Sequence, residues 1–133
     1  AYTQTAEVCL RLWERGDVDP ARIERLSAEA VANLARYARL YRLGRPAADL
    51  WSGNLAWLRG RRRRALASWT RSLELARRLG LAREEGLAHY ELGRRSADGR
   101  EHLERAREIF RSLELPLEKA DVEGAAAITP RAG

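Results

Sequence analysis

The chain has 133 residues with a formal net charge of +6, enough for one domain and little room for two. Its hydrophobic fraction of 45% beside a charged fraction of 33% excludes a disordered chain, because such chains lack the apolar side chains that repay the entropy of ordering. No apolar run approaches the roughly 18 residues that cross a bilayer.

Ala, Leu, Arg and Glu dominate, and no run alternates in the manner of a strand, so the predicted elements are helices throughout. The first covers about Thr3 to Arg15 and stops at Gly16. Asp19 then offers an N-cap, with Pro20 at the first helical position of a long second helix that is expected to reach Leu43 and end at Gly44. Pro46 opens a third, which Gly60 closes after Arg59, and a fourth runs from Arg62 to Leu79 before Gly80. A fifth spans Ala82 to Arg94, followed by the turn Ser96–Gly99. Arg100 to Leu113 makes a sixth, Pro116 is expected to break it, and a short terminal helix is expected over 116–126.

The helices fall in pairs, which raises an internal repeat. A shift of 34 positions brings Ala56 onto Tyr90, Leu58 onto Leu92, Ala65 onto Gly99, Trp69 onto Leu103, Ser72 onto Ala106 and Leu79 onto Leu113. A looser shift of 36 brings Leu40, Leu43 and Gly44 onto Ala76, Leu79 and Gly80. Such a period has a physical meaning: one hairpin buries half of its apolar faces and must stack on a neighbour to bury the rest. One domain of residues 1–133 is therefore expected, with approximate repeats 3–44, 46–80 and 82–113 and the terminal helix.

The segment Leu50–Gly60, followed by Ala65, Trp69 and Ser72, resembles a tetratricopeptide repeat. In that family a small residue lies where the two helices of a hairpin touch, the place Gly53 takes here, and Gly60 matches the turn glycine. The next copy departs at Leu87, where a small residue belongs, and at Gly99, where an alanine does. The resemblance implies an all-α array of about three antiparallel helix pairs wound as a right-handed superhelix. Its concave face would bind a peptide segment or a neighbouring domain, with Leu50, Asn54, Trp57, Leu58, Glu84 and Glu91 as the contacts. More narrowly, Leu55–Trp69, Glu84–Arg95 and Arg100–Leu115 are similar to the C-terminal repeats of large bacterial signalling proteins that carry a cyclase or kinase domain and a STAND-type ATPase module. That likeness, with the absence of Met even at position 1, implies a regulatory segment of a longer polypeptide whose catalytic parts lie upstream.

No catalytic signature is present: no GxxxxGK[ST], no GxGxxG after a strand, no HExxH, no GxSxG. The chain is therefore read as a non-catalytic interaction scaffold without cofactor or metal. His89 and His102 lie 13 apart on different predicted helices without cysteines nearby, the pattern of packing or exposed histidines. Cys9, the sole thiol, sits in an apolar helical stretch and reads as a small buried hydrophobe; with no signal segment in view, a cytoplasmic setting is expected.

Charge is uneven along the chain. Residues 101–123 carry seven acids against four bases, so the positive excess lies upstream, and all but Lys119 of the 25 basic residues are arginine, a bias that a GC-rich coding sequence explains. The sharpest feature is the run Arg59, Arg61, Arg62, Arg63 and Arg64 around Gly60. Cations at a helix N-terminus oppose its dipole by about 0.3–1 kcal/mol each. The alternative function is accordingly a nucleic-acid-binding module using this run, but no aromatic stacking residue is interleaved with it. A third reading is self-association into a homodimer through an uncapped repeat end. Of the four tryptophans, Trp69 is expected in the core and Trp57 in the groove.

Overall fold

The computed structural model describes the backbone of residues 2–126 and the side chains of residues 3–114. Among the described residues there are six α-helices: α1 (Tyr2–Arg15), α2 (Pro20–Leu40), α3 (Arg45–Leu58), α4 (Arg62–Leu79), α5 (Ala82–Arg95) and α6 (Arg100–Ala126), with a 3-10 turn at Arg42–Gly44. Among the described residues there is no strand. The all-α expectation is met.

Most boundaries fall where local chemistry puts them. Asp19 caps α2 by accepting the Arg22 N–H, with Pro20 in the first turn. Gly60 and Gly80 adopt positive φ, 79° and 69°, and turn the chain after α3 and α4. Several boundaries differ from the sequence expectation: α1 starts at Tyr2 rather than Thr3, and α3 covers Arg45–Leu58 rather than Pro46 to Arg59. The second helix stops at Leu40, because Tyr41 is extended at φ −123° and ψ 104°, and Gly44 sits at φ −82° without left-handed character. The fifth helix gains one residue, Arg95. The sixth continues through Pro116, so the separate terminal helix over 116–126 is corrected to a continuation of α6. Proline there lacks the N–H that would bond the Ser112 carbonyl, one lost bond amid flanking Leu, Glu, Lys and Ala that favour helix. The side chains of Glu118, Asp121 and Glu123, counted in the acidic C-terminal balance, lie outside the described residues, as do residues 1 and 127–133 of the expected domain.

Each helix packs on the next, and α3 packs also on α1 and on α5. The odd-numbered helices therefore lie side by side, while α2 and α4 flank α3. The core runs through this stack, with Leu10, Leu34, Leu50, Trp51, Ala65, Trp69 and Ala88 essentially inaccessible to solvent. The α3–α4 contact depends on Gly53. A Cβ there would lie 2.5 Å from the Trp69 Nε1 and 2.6 Å from its Cδ1, so only glycine lets the indole lie flat against α3. Ser72, also fully buried, donates to the Pro46 carbonyl at 2.7 Å and fixes the other end of the crossing. The repeat mismatch at Gly99 has a comparable cause: a Cβ at that position would collide with the Gly93 carbonyl, so α6 starts closer to α5 than an alanine permits.

Candidate partner-binding face

The residues expected to line an open groove separate into two groups. Leu50, Asn54 and Glu91 are buried, at 0%, 5% and 1% exposure, and are corrected from partner contacts to interior residues. The physical reason is a chain of hydrogen bonds that the packing must satisfy. The Trp69 Nε1 donates to the Leu50 carbonyl at 3.1 Å and to the Asn54 Oδ1 at 2.8 Å. The Asn54 Nδ2 in turn donates to the Glu91 Oε1 at 3.2 Å. A polar stripe that resembles a peptide ligand set in the sequence is thus consumed inside the α3–α4–α5 junction.

Trp57, Leu58 and Glu84 are half-buried and retain accessible surface. Trp57 is tilted against Trp69 with ring centroids 5.8 Å apart. Two guanidinium groups cover its ring, Arg62 at 5.2 Å and Arg95 at 5.0 Å from the centroid. Each such contact contributes about 0.5–1 kcal/mol where water reaches it.

Next to Trp57 lies a cluster the sequence reading missed. Glu91 receives two hydrogen bonds from Arg94, both 2.9 Å, and faces the Arg11 Nη1 at 3.5 Å. Arg94 also forks onto Glu14 at 2.9 and 3.2 Å, and Arg95 donates to the same carboxylate. Side chains of α1 and α5, some 80 residues apart in the chain, therefore meet across α3. Burial pushes the Glu14 carboxyl up, but the hydrogen bonds and charges of Arg94 and Arg95 outweigh it and hold the group below its usual range. Burial pushes the Arg94 guanidinium down, and Glu91 and Glu14 together raise it above its ordinary value. Three cations against two carboxylates leave the cluster with one positive charge in excess, and the buried Arg95 Nε has no hydrogen-bond partner. The i+3 and i+4 spacing of Arg94 and Arg95 from Glu91 was legible in the sequence; their meeting with α1 was not.

The basic run splits between two surfaces. Arg59, which pairs with Glu24 of α2 at 3.2 Å, lines with Arg61 and Arg64 a hollow between α3 and α4, while Arg62 turns to Trp57. Helical geometry disperses residues that are adjacent in sequence.

The two histidines, read as packing or exposed side chains, are brought together. Their Nδ1 atoms lie 2.9 Å apart, and the His89 Nε2 lies 3.1 Å from the Arg77 Nη2. Arg77 can only donate, so the His89 Nε2 accepts and its Nδ1–H points at His102. Burial, then the charge of Arg77, lowers the His89 pKa to about 4. Among the described residues no group of three or more His, Cys, Asp or Glu side chains is placed to hold a metal ion. Cys9 is half-buried against the core rather than fully enclosed, and burial raises its thiol pKa. Among the described residues no helix is long and apolar enough to cross a membrane. Compared with protein-family models, curated proteins and solved structures, the chain matches none of them.

Proposed function

We propose that the chain is a non-catalytic protein-interaction scaffold, a tetratricopeptide-like stack of three helix pairs that captures a peptide or a neighbouring domain on the face of α1, α3 and α5. On this reading it is a regulatory C-terminal segment of a larger signalling protein and works in the cytoplasm. The observation that carries the proposal is the packing order. Odd-numbered helices lie side by side, each hairpin leans on the next, Gly53 meets Trp69 where α3 touches α4, and Ser72 of α4 bonds the Pro46 carbonyl of α3, which supports the reading.

The partner contact narrows to Trp57 and its surroundings, since Leu50, Asn54 and Glu91 are committed inside. An indole held between Arg62 and Arg95 offers an apolar plate edged by donors. Large aromatic and Arg side chains of this kind dominate interface energetics. Leu58 adjoins Trp57 on α3, whereas Glu84 lies at the opposite end of α5 from Arg95 and stands apart from the plate.

Selection of peptides from a displayed random library on the 133-residue chain tests the reading. Selected peptides should lose about tenfold or more in affinity for Trp57→Ala, with helicity by circular dichroism unchanged. Peptides that bind Trp57→Ala as tightly as the parent would refute this face as the site. Failure of any peptide to enrich would count against the scaffold reading itself.

A further inference from the structure

A separate stripe of α3, formed by Asp49, Ser52 and Ala56, makes the floor of a cleft walled by α2 and α4 at one end and by α4 and the α3–α4 turn at the other. The cleft has two contiguous parts of about 810 and 370 Å³ that share Asp49, Ser52 and Arg71. Arginines line it on every side. Arg39 and Arg42 come from the end of α2 and the turn after it, Arg45 from the start of α3, and Arg71 and Arg78 from α4. Arg59, Arg61 and Arg64 close the far end. Against these eight stand two carboxylates, Asp49 and Glu74. With Glu24, the partner of Arg59, counted as well, the local excess is five positive charges beside a formal +6 for the whole chain.

These arginines are for the most part not used by the fold. Arg59 has Glu24, and Arg71 reaches Asp49 at 3.8 Å. Arg39, Arg42, Arg61, Arg64 and Arg78 have no carboxylate partner among the described residues, although gathering like charges around one cleft costs free energy. An apolar rim adjoins the same cleft. Leu40, which lines it, is 81% exposed, and Leu43 and Tyr41 beside it are 64% and 56% exposed. The floor and lower walls are small, with Ala35, Ala38 and Ala48, so another backbone can approach closely.

We infer that this cleft docks an acidic amphipathic peptide segment of a protein partner, its carboxylates on the arginines and an apolar side chain on Leu40 and Leu43. Arginine forks match carboxylates bidentately, and arginine clusters are a recurrent device for acidic motifs. The lining favours a peptide over nucleic acid. It contains no aromatic side chain on which a base could stack. A phosphate backbone would also leave exposed Leu40 without a partner. The site is distinct from the Trp57 face and stands without it.

The test uses the 133-residue chain and a labelled Glu- and Leu-rich helical peptide, read by fluorescence anisotropy. Binding should weaken as salt rises and should fall about tenfold or more for R39Q/R78Q, with helicity unchanged. An all-Glu peptide without leucines should bind more weakly, and Leu40→Glu should weaken the amphipathic one. Trp57→Ala should leave this binding intact, which separates the cleft from the face proposed above. Should R39Q/R78Q lose helicity, R39Q and R78Q singly carry the same expectation. The inference is overturned if these variants bind the peptide as the parent does, or if an oligothymidylate binds more tightly than the peptide and depends on the same arginines. It is overturned equally if sedimentation gives a dimer whose dissociation follows Leu40→Glu, since a second copy would then occupy the cleft.

Discussion

Gly53→Ala sets two effects of opposite sign against each other. In an exposed helix the change stabilises by about 1 kcal/mol, because alanine loses less backbone entropy than glycine. In this chain the added Cβ would sit 2.5 Å from the Trp69 Nε1 and 3.0 Å from its Cε2, inside contact distance of a ring that is 0% exposed. Moving the indole away disturbs a packed core, at about 1–3 kcal/mol. It also pulls the Nε1 from the Leu50 carbonyl and the Asn54 Oδ1, and a buried donor left unmatched costs about 1–3 kcal/mol. With the propensity gain subtracted, the net expectation is destabilisation by about 1–5 kcal/mol, centred on about 3. For a chain of this size that centre is a fall in midpoint of roughly 11 °C. Thermal and urea unfolding followed by far-ultraviolet circular dichroism measure it. A second background isolates the cause: in Trp69→Phe, which removes the indole nitrogen and shortens the ring, Gly53→Ala should cost far less. A Gly53→Ala variant as stable as the parent, or more so, would refute the claim that the α3–α4 contact requires glycine.

Glu91→Gln removes the negative centre on which Arg94, Arg11 and Asn54 converge. Breaking one side of a buried pair costs about 3–5 kcal/mol, but Arg94 keeps Glu14, so about 2–3 kcal/mol is expected from urea midpoints. Stability should also fall on mild acidification. The His89 pKa is about 4 in the fold against an ordinary 6.5, so neutral His89 contributes fully above pH 6.5, and that contribution is lost as pH falls from 6.5 towards 4. The loss is at most about 3 kcal/mol for one such proton, and His89→Gln should flatten the profile in that window. Below it the lowered Glu14 carboxyl acts in the same direction, its contribution present above the unfolded carboxylate value and lost as the group protonates. Ser72→Ala, which unpairs the Pro46 carbonyl, should cost about 1 kcal/mol without altering peptide binding at either face.

Local chemistry written in the sequence determined the helices, their order and most of their ends. Gly60 and Gly80 turn the chain because a left-handed residue is cheap only for glycine, and Asp19–Pro20 starts α2 because an acceptor and a fixed φ suit a first turn. Where a neighbour outside the local window intervened, the sequence was silent. The stripe of Leu50, Asn54 and Glu91 has the spacing of an accessible ligand set, and only the approach of α4 and α5 turned it inward, because a buried indole N–H and a buried carboxylate need partners. Arg11, Glu14, Arg94 and Arg95 meet over a separation no periodicity encodes. The most conspicuous signal, the run from Arg59 to Arg64, was divided by the turn of a helix: Arg62 went to Trp57, while Arg59, Arg61 and Arg64 joined arginines scattered from Arg39 to Arg78 around one cleft. Residue type along a chain fixes which elements form; which side chains share a surface is fixed by how those elements pack.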